Sequence, residues 1–366
     1  MRLRVGVLFG GQSEEHRVSM MSAYAVMQAM RGSYEIVPIA IDRSGRWLAG
    51  ESALGIMETE IGRRPQLPTP ATSADSHSVV SRGSNDIVPF RPESLTELVD
   101  VVVPVLHGPL GEDGTVQGLL ELAGLPYVGS GVLGSALGMD KIAMKMLLGA
   151  LEIPQVVYQG FTRHAWLHDR KKTLDELERS LSYPMFVKPA NLGSSVGISK
   201  AANRQALEVA IDEAQRFDRR VIVEQGVDAR EFEVGVLGWD NAQASVVGEV
   251  TVHGHEFYDY RAKYEDGTTE LSIPADIGRE IGRQMQELAV KAFHGLDCAG
   301  LARVDFFWER ASGRILLNEI NTLPGFTPYS MYPLLWEATG VSYPQLIDRL
   351  IQIAVERYRQ RPRHNQ

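Results

Sequence analysis

Leu3–Phe9 is a compact apolar run that stops at Gly10-Gly11, the pattern of a buried strand entering a turn. Met20, Met21, Tyr24, Met27 and Met30 then recur at helical spacing, and Gly32 supplies a stop. Tyr34–Ile41 and Val99–Leu106 read as further strands. A helix near Thr115–Ala123 precedes a short strand at Pro126–Val128. Apolar strands alternating with helices in this way predict a parallel sheet with helices on its faces. Arg63–Pro92 breaks the pattern with five prolines and many Ser and Thr, and reads as a long surface insertion.

A second block opens with a helical pattern over Ser135–Leu151. Pro184–Lys188, Val196–Ser199 and Val221–Glu224 follow as strands, with a helix at Asn203–Phe217 between the last two. The third block carries strands at Glu231–Leu237, Ala244–Val252, Leu301–Trp308 and Arg314–Ile320. A long helix near Asp276–Phe293 lies among them, and Tyr343–Arg359 is again periodic and helical, ending in the polar tail Arg361–Gln366. No solenoid repeat and no low-complexity tract occurs. The chain is therefore α/β in class, and its predicted blocks are 1–134, 135–226 and 227–366.

Composition narrows the function. The 366 residues are 44% apolar and 23% charged, enough to bury several cores. A single Cys rules out a disulfide framework and a Cys-based metal site, and suits a reducing cytoplasm. Cys298 itself reads as a small buried residue. No apolar run approaches the ~18 residues of a membrane span, and the opening Met1–Phe9 is too short for a signal-peptide core. With 46 acidic against 37 basic residues and a net charge of −9, the chain is not predicted to bind nucleic acid or anionic membranes.

The densest chemistry lies in Leu301-Ala-Arg303-Val-Asp305-Phe-Phe and Arg314-Ile-Leu-Leu-Asn318-Glu319-Ile-Asn321. Side chains two apart on a strand share a face, so Arg303 pairs with Asp305 and Glu319 with Asn321. The short polar link Glu309–Gly313 lets the two strands form a hairpin and bring all four together. Two carboxylates and an amide oxygen are hard ligands, suited to Mg²⁺ held jointly with phosphates. The plainer alternative is an ion pair of Arg303 with Asp305 or Glu319 on a half-exposed sheet.

Other segments add anion-binding and polar loops. Lys188-Pro189 ends a strand and precedes Gly193-Ser194-Ser195-Val196-Gly197, a lysine and a loop of backbone N–H groups fit for phosphate, although no Walker P-loop occurs. Gly129-Ser-Gly131-Val-Leu-Gly134 satisfies the G-x-G-x-x-G dinucleotide fingerprint, but follows a very short strand deep in the chain instead of opening a first βα turn. Gly10–Ser19 and His107-Gly-Pro-Leu-Gly-Glu-Asp-Gly114 both sit at carboxyl ends of strands in the first sheet, where ligands of open α/β sheets collect. Glu14 or Glu15 there fits either an ammonium ligand or a helix N-terminus. Val252–Glu270 is dense in His, Tyr, Asp, Lys and Gly and reads as a lid loop.

In this order the segments resemble the D-alanine–D-alanine ligases, ATP-grasp enzymes of peptidoglycan (cell wall) synthesis. The resemblance runs from Gly10 to Met331 and includes Met139-Asp-Lys141 and Asn318-Glu-Ile-Asn-Thr-Leu-Pro-Gly325. It implies a three-domain fold, an N-terminal parallel sheet followed by two α+β domains that clasp ATP. It further implies Lys141 and Lys188 at the phosphates, Glu224 and Glu231 at adenosine, and Lys263 arriving with the lid. Asp305, Glu319 and Asn321 would bind two Mg²⁺ ions, with Mn²⁺ as a substitute. Glu15 would hold the first D-alanine in a network with Ser194 and Tyr264. His107 would lie by the substrate carboxylate, Arg303 and Gly325 would form an oxyanion site, and Ser330 with Met331 would receive the second D-alanine. The resemblance also implies a cytoplasmic homodimer. Related ligases accept D-lactate or D-serine as second substrate. A nicotinamide oxidoreductase built on Gly129–Gly134, a ligase of the same chemistry with another substrate, and a non-catalytic nucleotide sensor are the rival readings.

Overall fold

The computed structural model describes residues 2–67, 94–193, 196–252 and 269–361. The Ser194, Lys263 and Tyr264 expectations, the lid, and most of the Arg63–Pro92 insertion lie outside the described residues.

Three sheets organise the chain. The first takes β1 (Arg4–Gly10), β2 (Glu35–Ile41), β3 (Trp47–Ala49) and β4 (Val101–Val105) in the order β3-β2-β1-β4. β1 runs parallel to both β2 and β4, and β3 adds an antiparallel edge. The apolar run of β1 is buried from Val5 onward, as a parallel strand covered on both faces requires. Gly10 ends it at φ +92, where a Cβ would stand 2.2 Å from the Ile41 carbonyl oxygen, so only glycine fits this turn into the loop that carries Glu15.

The second sheet takes β5 (Tyr158–Thr162), β6 (Met185–Pro189), β7 (Ser199–Ala201) and β8 (Arg220–Gln225) in the order β5-β8-β6-β7, antiparallel throughout. The third takes β9 (Ala229–Gly238), β10 (Gln243–Val252), β11 (Thr269–Ser272), β12 (Gly300–Glu309) and β13 (Ile315–Asn321) in the order β11-β10-β9-β12-β13, also antiparallel. The predicted β12–β13 hairpin is present.

The cores cross between sheets. Leu346, Ile347, Leu350 and Ile351 of the helix Tyr343–Arg359 are buried with Val5, Val7, Phe9 and Val103 of the first sheet. That helix has a capping box at Ser342 and Gln345 and proline in its first turn. Met144 and Leu148 of the helix Lys141–Ala150 are buried with Val234 and Val304 of the third sheet and with Phe293 of the helix Arg279–Gly295. The second sheet keeps its own core, built on Trp166, Met185, Val187, Ile211 and Val223. No helix among the described residues is long and apolar enough to cross a membrane.

Several elements depart from the sequence pattern. The single helix expected over Ser135–Leu151 is two helices, Val132–Met139 and Lys141–Ala150, because Asp140 leaves helical geometry and caps the second. Its Oδ1 accepts from the backbone N–H groups of Ile142 and Ala143 at 3.1 and 2.9 Å. The strand expected at Val196–Ser199 begins only at Ser199, and Pro126–Val128 contributes one bridge, Tyr127 to Val102. β5 and the helix Arg170–Ser180 carried little signal: β5 is largely solvent-facing, and the helix is mostly charged around Leu174 and Leu177.

Candidate active site

All thirteen described candidates line one cavity of about 770 Å³ between the three sheets: Glu15, His107, Lys141, Lys188, Glu224, Glu231, Arg303, Asp305, Glu319, Asn321, Gly325, Ser330 and Met331. Each sheet supplies a distinct chemistry.

The third sheet gives the oxygen donors. Arg303 is paired in register with Asn321, and Asp305 with Glu319, across the β12–β13 ladder. On the other side Asp305 faces Glu233 and Phe307 faces Glu231 on β9. Cross-strand neighbours on one face approach closely, so four carboxylates and one guanidinium share this surface. Arg303 Nε and Nη2 each donate to Asp305 at 2.7 Å, and Nε lies 2.8 Å from Glu233 Oε2. Asn321 Nδ2 donates to Asp305 Oδ2 at 3.1 Å. The Arg303–Asp305 pair is thus real, and it stands inside the cavity, not on an outer sheet face.

The same surface fits a divalent ion. Its surplus of negative charge, half-buried at Asp305, Glu231 and Glu319, rests on hard oxygen atoms. Among the described residues no three His, Cys, Asp or Glu side chains form a complete metal cage. Asp305, Glu319 and the Asn321 amide could supply only part of a coordination shell, which phosphate or water oxygens would complete.

The second sheet and the helix Lys141–Ala150 give cations. Lys141 Nζ donates to the Leu192 carbonyl at 2.8 Å and lies 3.6 Å from Glu319 Oε2. The Asp140 cap, which also pairs with Arg220 and accepts from Asn191, fixes the start of that helix and so the place of Lys141. Lys188 Nζ donates to Glu224 Oε2 at 2.7 Å, and Lys145 Nζ lies 3.2 Å from Glu224 Oε1. Burial alone would raise the Glu224 carboxyl, but Lys145 and Lys188 outweigh it and hold it well below the usual carboxylate range. Burial opposes the Lys188 ammonium too, yet Glu224 and Glu319 raise its pKa.

The first sheet gives polar groups at its carboxyl edge. Glu15 and His107 are buried there, and Ser19 ties the loop by accepting from Gly10 N–H at 2.8 Å and donating to the Val105 carbonyl. Gly193 separates two acids: a Cβ there would lie 3.6 Å from Glu15 Oε2 and 3.7 Å from Glu112 Oε1. Burial and the nearby Glu15 charge push the Glu112 carboxyl up to about 8, although it accepts from Gly108 N–H at 2.8 Å. At the opposite wall Ser330 Oγ accepts from Thr327 N–H at 3.1 Å and packs close to Gly325.

Glu112 and Glu233 line the cavity and Lys145 stands behind it; the sequence singles out none of the three. Glu233 shares the strand face of Glu231, and Lys145 follows Lys141 by one helical turn, so both had a spacing signal. The Gly129–Gly134 fingerprint is explained by packing. Gly129 sits at φ +103, and a Cβ on Gly134 would lie 2.6 Å from the Asp297 carbonyl oxygen. Cys298 is buried, and burial pushes its thiol up to about 12, as a structural residue requires.

Comparison with known proteins converges on one family. Residues 4–130 match the family model for the D-ala D-ala ligase N-terminus, and residues 147–352 that for its C-terminus. The D-alanine–D-alanine ligase of Geobacillus kaustophilus is 49% identical over 362 residues, spanning 99% of this chain and 97% of that one. That of Bacillus cytotoxicus is 48% identical over 361 residues, 98% of each. Among solved structures, the VanG D-Ala:D-Ser ligase of Enterococcus faecalis superposes with a TM-score of 0.80 at 36% identity, covering 97% of this chain and all of that one. The D-alanine–D-alanine ligase of Coxiella burnetii gives 0.77 at 31% identity over 98% and 95% of the two chains. With both halves matched and the three sheets closed around a cavity of cations and oxygen donors, this chain belongs to the D-alanine–D-alanine ligase family and has its ATP-grasp fold.

Proposed function

We propose that this enzyme joins two molecules of D-alanine to D-alanyl-D-alanine at the cost of ATP, for cell wall synthesis, through an acyl phosphate. The observation that carries the reading is the single cavity in which buried lysines, oxygen donors and the polar loops of the first sheet converge. A free carboxylate is a poor acyl donor, so a carboxylate oxygen of the first D-alanine attacks the γ-phosphate of ATP, releasing ADP and forming an acyl phosphate. The amine of the second, once its ammonium has lost a proton, attacks that carbonyl and expels phosphate.

Lys141 and Lys188 neutralise phosphate charge, joined by Lys263, and Glu224 with Glu231 hold adenosine. The family uses ATP with a divalent metal. Two Mg²⁺ ions, replaceable by Mn²⁺, fit Asp305, Glu319 and Asn321, and would offset charge on the transferring phosphoryl group. Glu15 fixes the ammonium of the first D-alanine, linked to Ser194 and Tyr264, and His107 lies by its carboxylate. Arg303 and the Gly325 backbone stabilise the oxyanion of the addition step. Ser330 receives the second D-alanine, and Met331 suits its methyl group.

The blocks 1–134, 135–226 and 227–366 act as the three parts of the clasp, the chain works as a homodimer, and its place is the cytoplasm, where ATP is available. A D-serine-accepting relative at 36% identity keeps D-serine as the second acceptor to test. Purified protein with ATP, Mg²⁺ and D-alanine is expected to release phosphate in step with D-alanyl-D-alanine, read by product mass. D-Lactate and D-serine in mixed incubations rank the acceptors. Phosphate release without dipeptide in any tube contradicts the D-alanine reading.

A further inference from the structure

We infer that Lys145 is a positioning residue for nucleotide binding: by answering one oxygen of Glu224 it leaves the Lys188 ammonium able to turn toward a phosphate. The inference rests on the ATP-ligase reading above and adds a residue to it.

Lys145 stands one helical turn after Lys141, and its side chain is only 1% exposed. It lies behind Glu224, outside the wall of the cavity that Glu224 and Lys188 line. Its ammonium is 3.2 Å from Glu224 Oε1 and 5.7 Å from the centre of the Tyr158 ring. It meets hydrogen-bond geometry with no described atom. A lysine rarely occupies such a place unless its charge is used. The other carboxylate oxygen, Oε2, is taken by Lys188 at 2.7 Å.

Two buried ammonium groups therefore share the one carboxylate of Glu224, and these three side chains together hold one more positive than negative charge. Without the Lys145 charge, Glu224 and Lys188 would form a closed, neutral pair. A phosphate would then have to break the strongest contact that Lys188 makes, in surroundings where such contacts are little screened. Glu15, His107 and Ser330 belong to other elements, so the effect falls on the nucleotide and spares the amino acid.

The test is Lys145→Met, which keeps the apolar stem and removes the charge. Direct titration with ATP and Mg²⁺, and the KM for ATP, are expected to weaken about 10–100-fold, the size of one charge-assisted hydrogen bond. The kcat at saturating ATP and the KM for D-alanine are expected to stay within about twofold. Adding Glu224→Gln removes the carboxylate that captures Lys188, so the double variant should bind ATP better than the product of the two single losses. Unchanged ATP affinity in a folded variant overturns the inference. So do parallel losses for ATP and D-alanine, or single effects that simply multiply. Lys145→Gln serves if the Met variant does not fold, and failure of both to fold assigns Lys145 a structural role instead. Because ATP binding is read without turnover, a wild-type enzyme that binds ATP but makes no dipeptide sinks the ligase reading and leaves this comparison legible.

Discussion

Arg303 donates twice to Asp305 and lies against Glu233, so one guanidinium holds two of the carboxylates that line the cavity. Removing it would take away the proposed oxyanion donor and leave the oxygen cluster without its guanidinium. Arg303→Ala is expected to lower kcat by roughly 10²–10³-fold, measured on a variant whose far-UV spectrum matches wild type; a near-wild-type rate contradicts the role. Glu112 offers a pH signature. Its folded carboxyl titrates at about 8, above the unfolded value, so the folded state binds the extra proton between the two. Its contribution to stability is thus present at low pH and is lost as pH rises through about 8. Glu112→Gln should raise Tm relative to wild type at pH 9, by about 2 °C or more, with the two curves converging near pH 4. A constant gap across that range contradicts the titration. At this scale the sequence was most legible where a period of two governs: Arg303, Asp305, Glu319 and Asn321 meet on one face as the alternation requires. Glu233 obeys the same alternation, but its neighbour β12 is distant in the chain, and pairing of β9 with β12 is fixed by topology alone. Glu112 lies in a loop, where no periodicity speaks.

The break at Asp140 shows how one side chain shapes an element and then a site. Apolar residues continue across Ser135–Leu151, and that continuity hides the stop. The structure ends one helix at Met139, turns at Asp140, and starts another whose first residue, Lys141, enters the cavity. An Asp before an apolar run is a cap signal, but periodicity outvoted it. Asp140→Ala is expected to cost about 1 kcal/mol as a lost cap, seen in chemical denaturation. It should also raise the KM for ATP while leaving the KM for D-alanine unchanged, since the cap aims Lys141 and pairs with Arg220. Equal changes in both KM values would contradict that link. Elements with strong patterns, such as β1, β12, β13 and the helix Tyr343–Arg359, emerge within a residue or two of their expected bounds. The weakly patterned ones, β3, β5 and the helix Glu51–Ile61, leave no signal in the sequence because short edge strands and half-buried helices bury too little to imprint a period.

At the scale of the molecule, the C-terminal helix buries Leu346, Leu350 and Ile351 against the N-terminal sheet, tying the ends of the chain together. Such long-range packing leaves no local trace in a sequence, whereas the ordered motifs do, which is why the family was legible while the crossing of cores was not. That packing sets the polar loops of the first sheet opposite the lysines of the second and the carboxylates of the third. In this one cavity a carboxylate is activated by phosphorylation and then captured by an amine. D-Alanine labelled with ¹⁸O in its carboxyl group, incubated with ATP, Mg²⁺ and the enzyme, tests that claim most directly. Each phosphate released is expected to carry one ¹⁸O atom, transferred from the first D-alanine, in step with labelled D-alanyl-D-alanine. Dipeptide formed with unlabelled phosphate would contradict it.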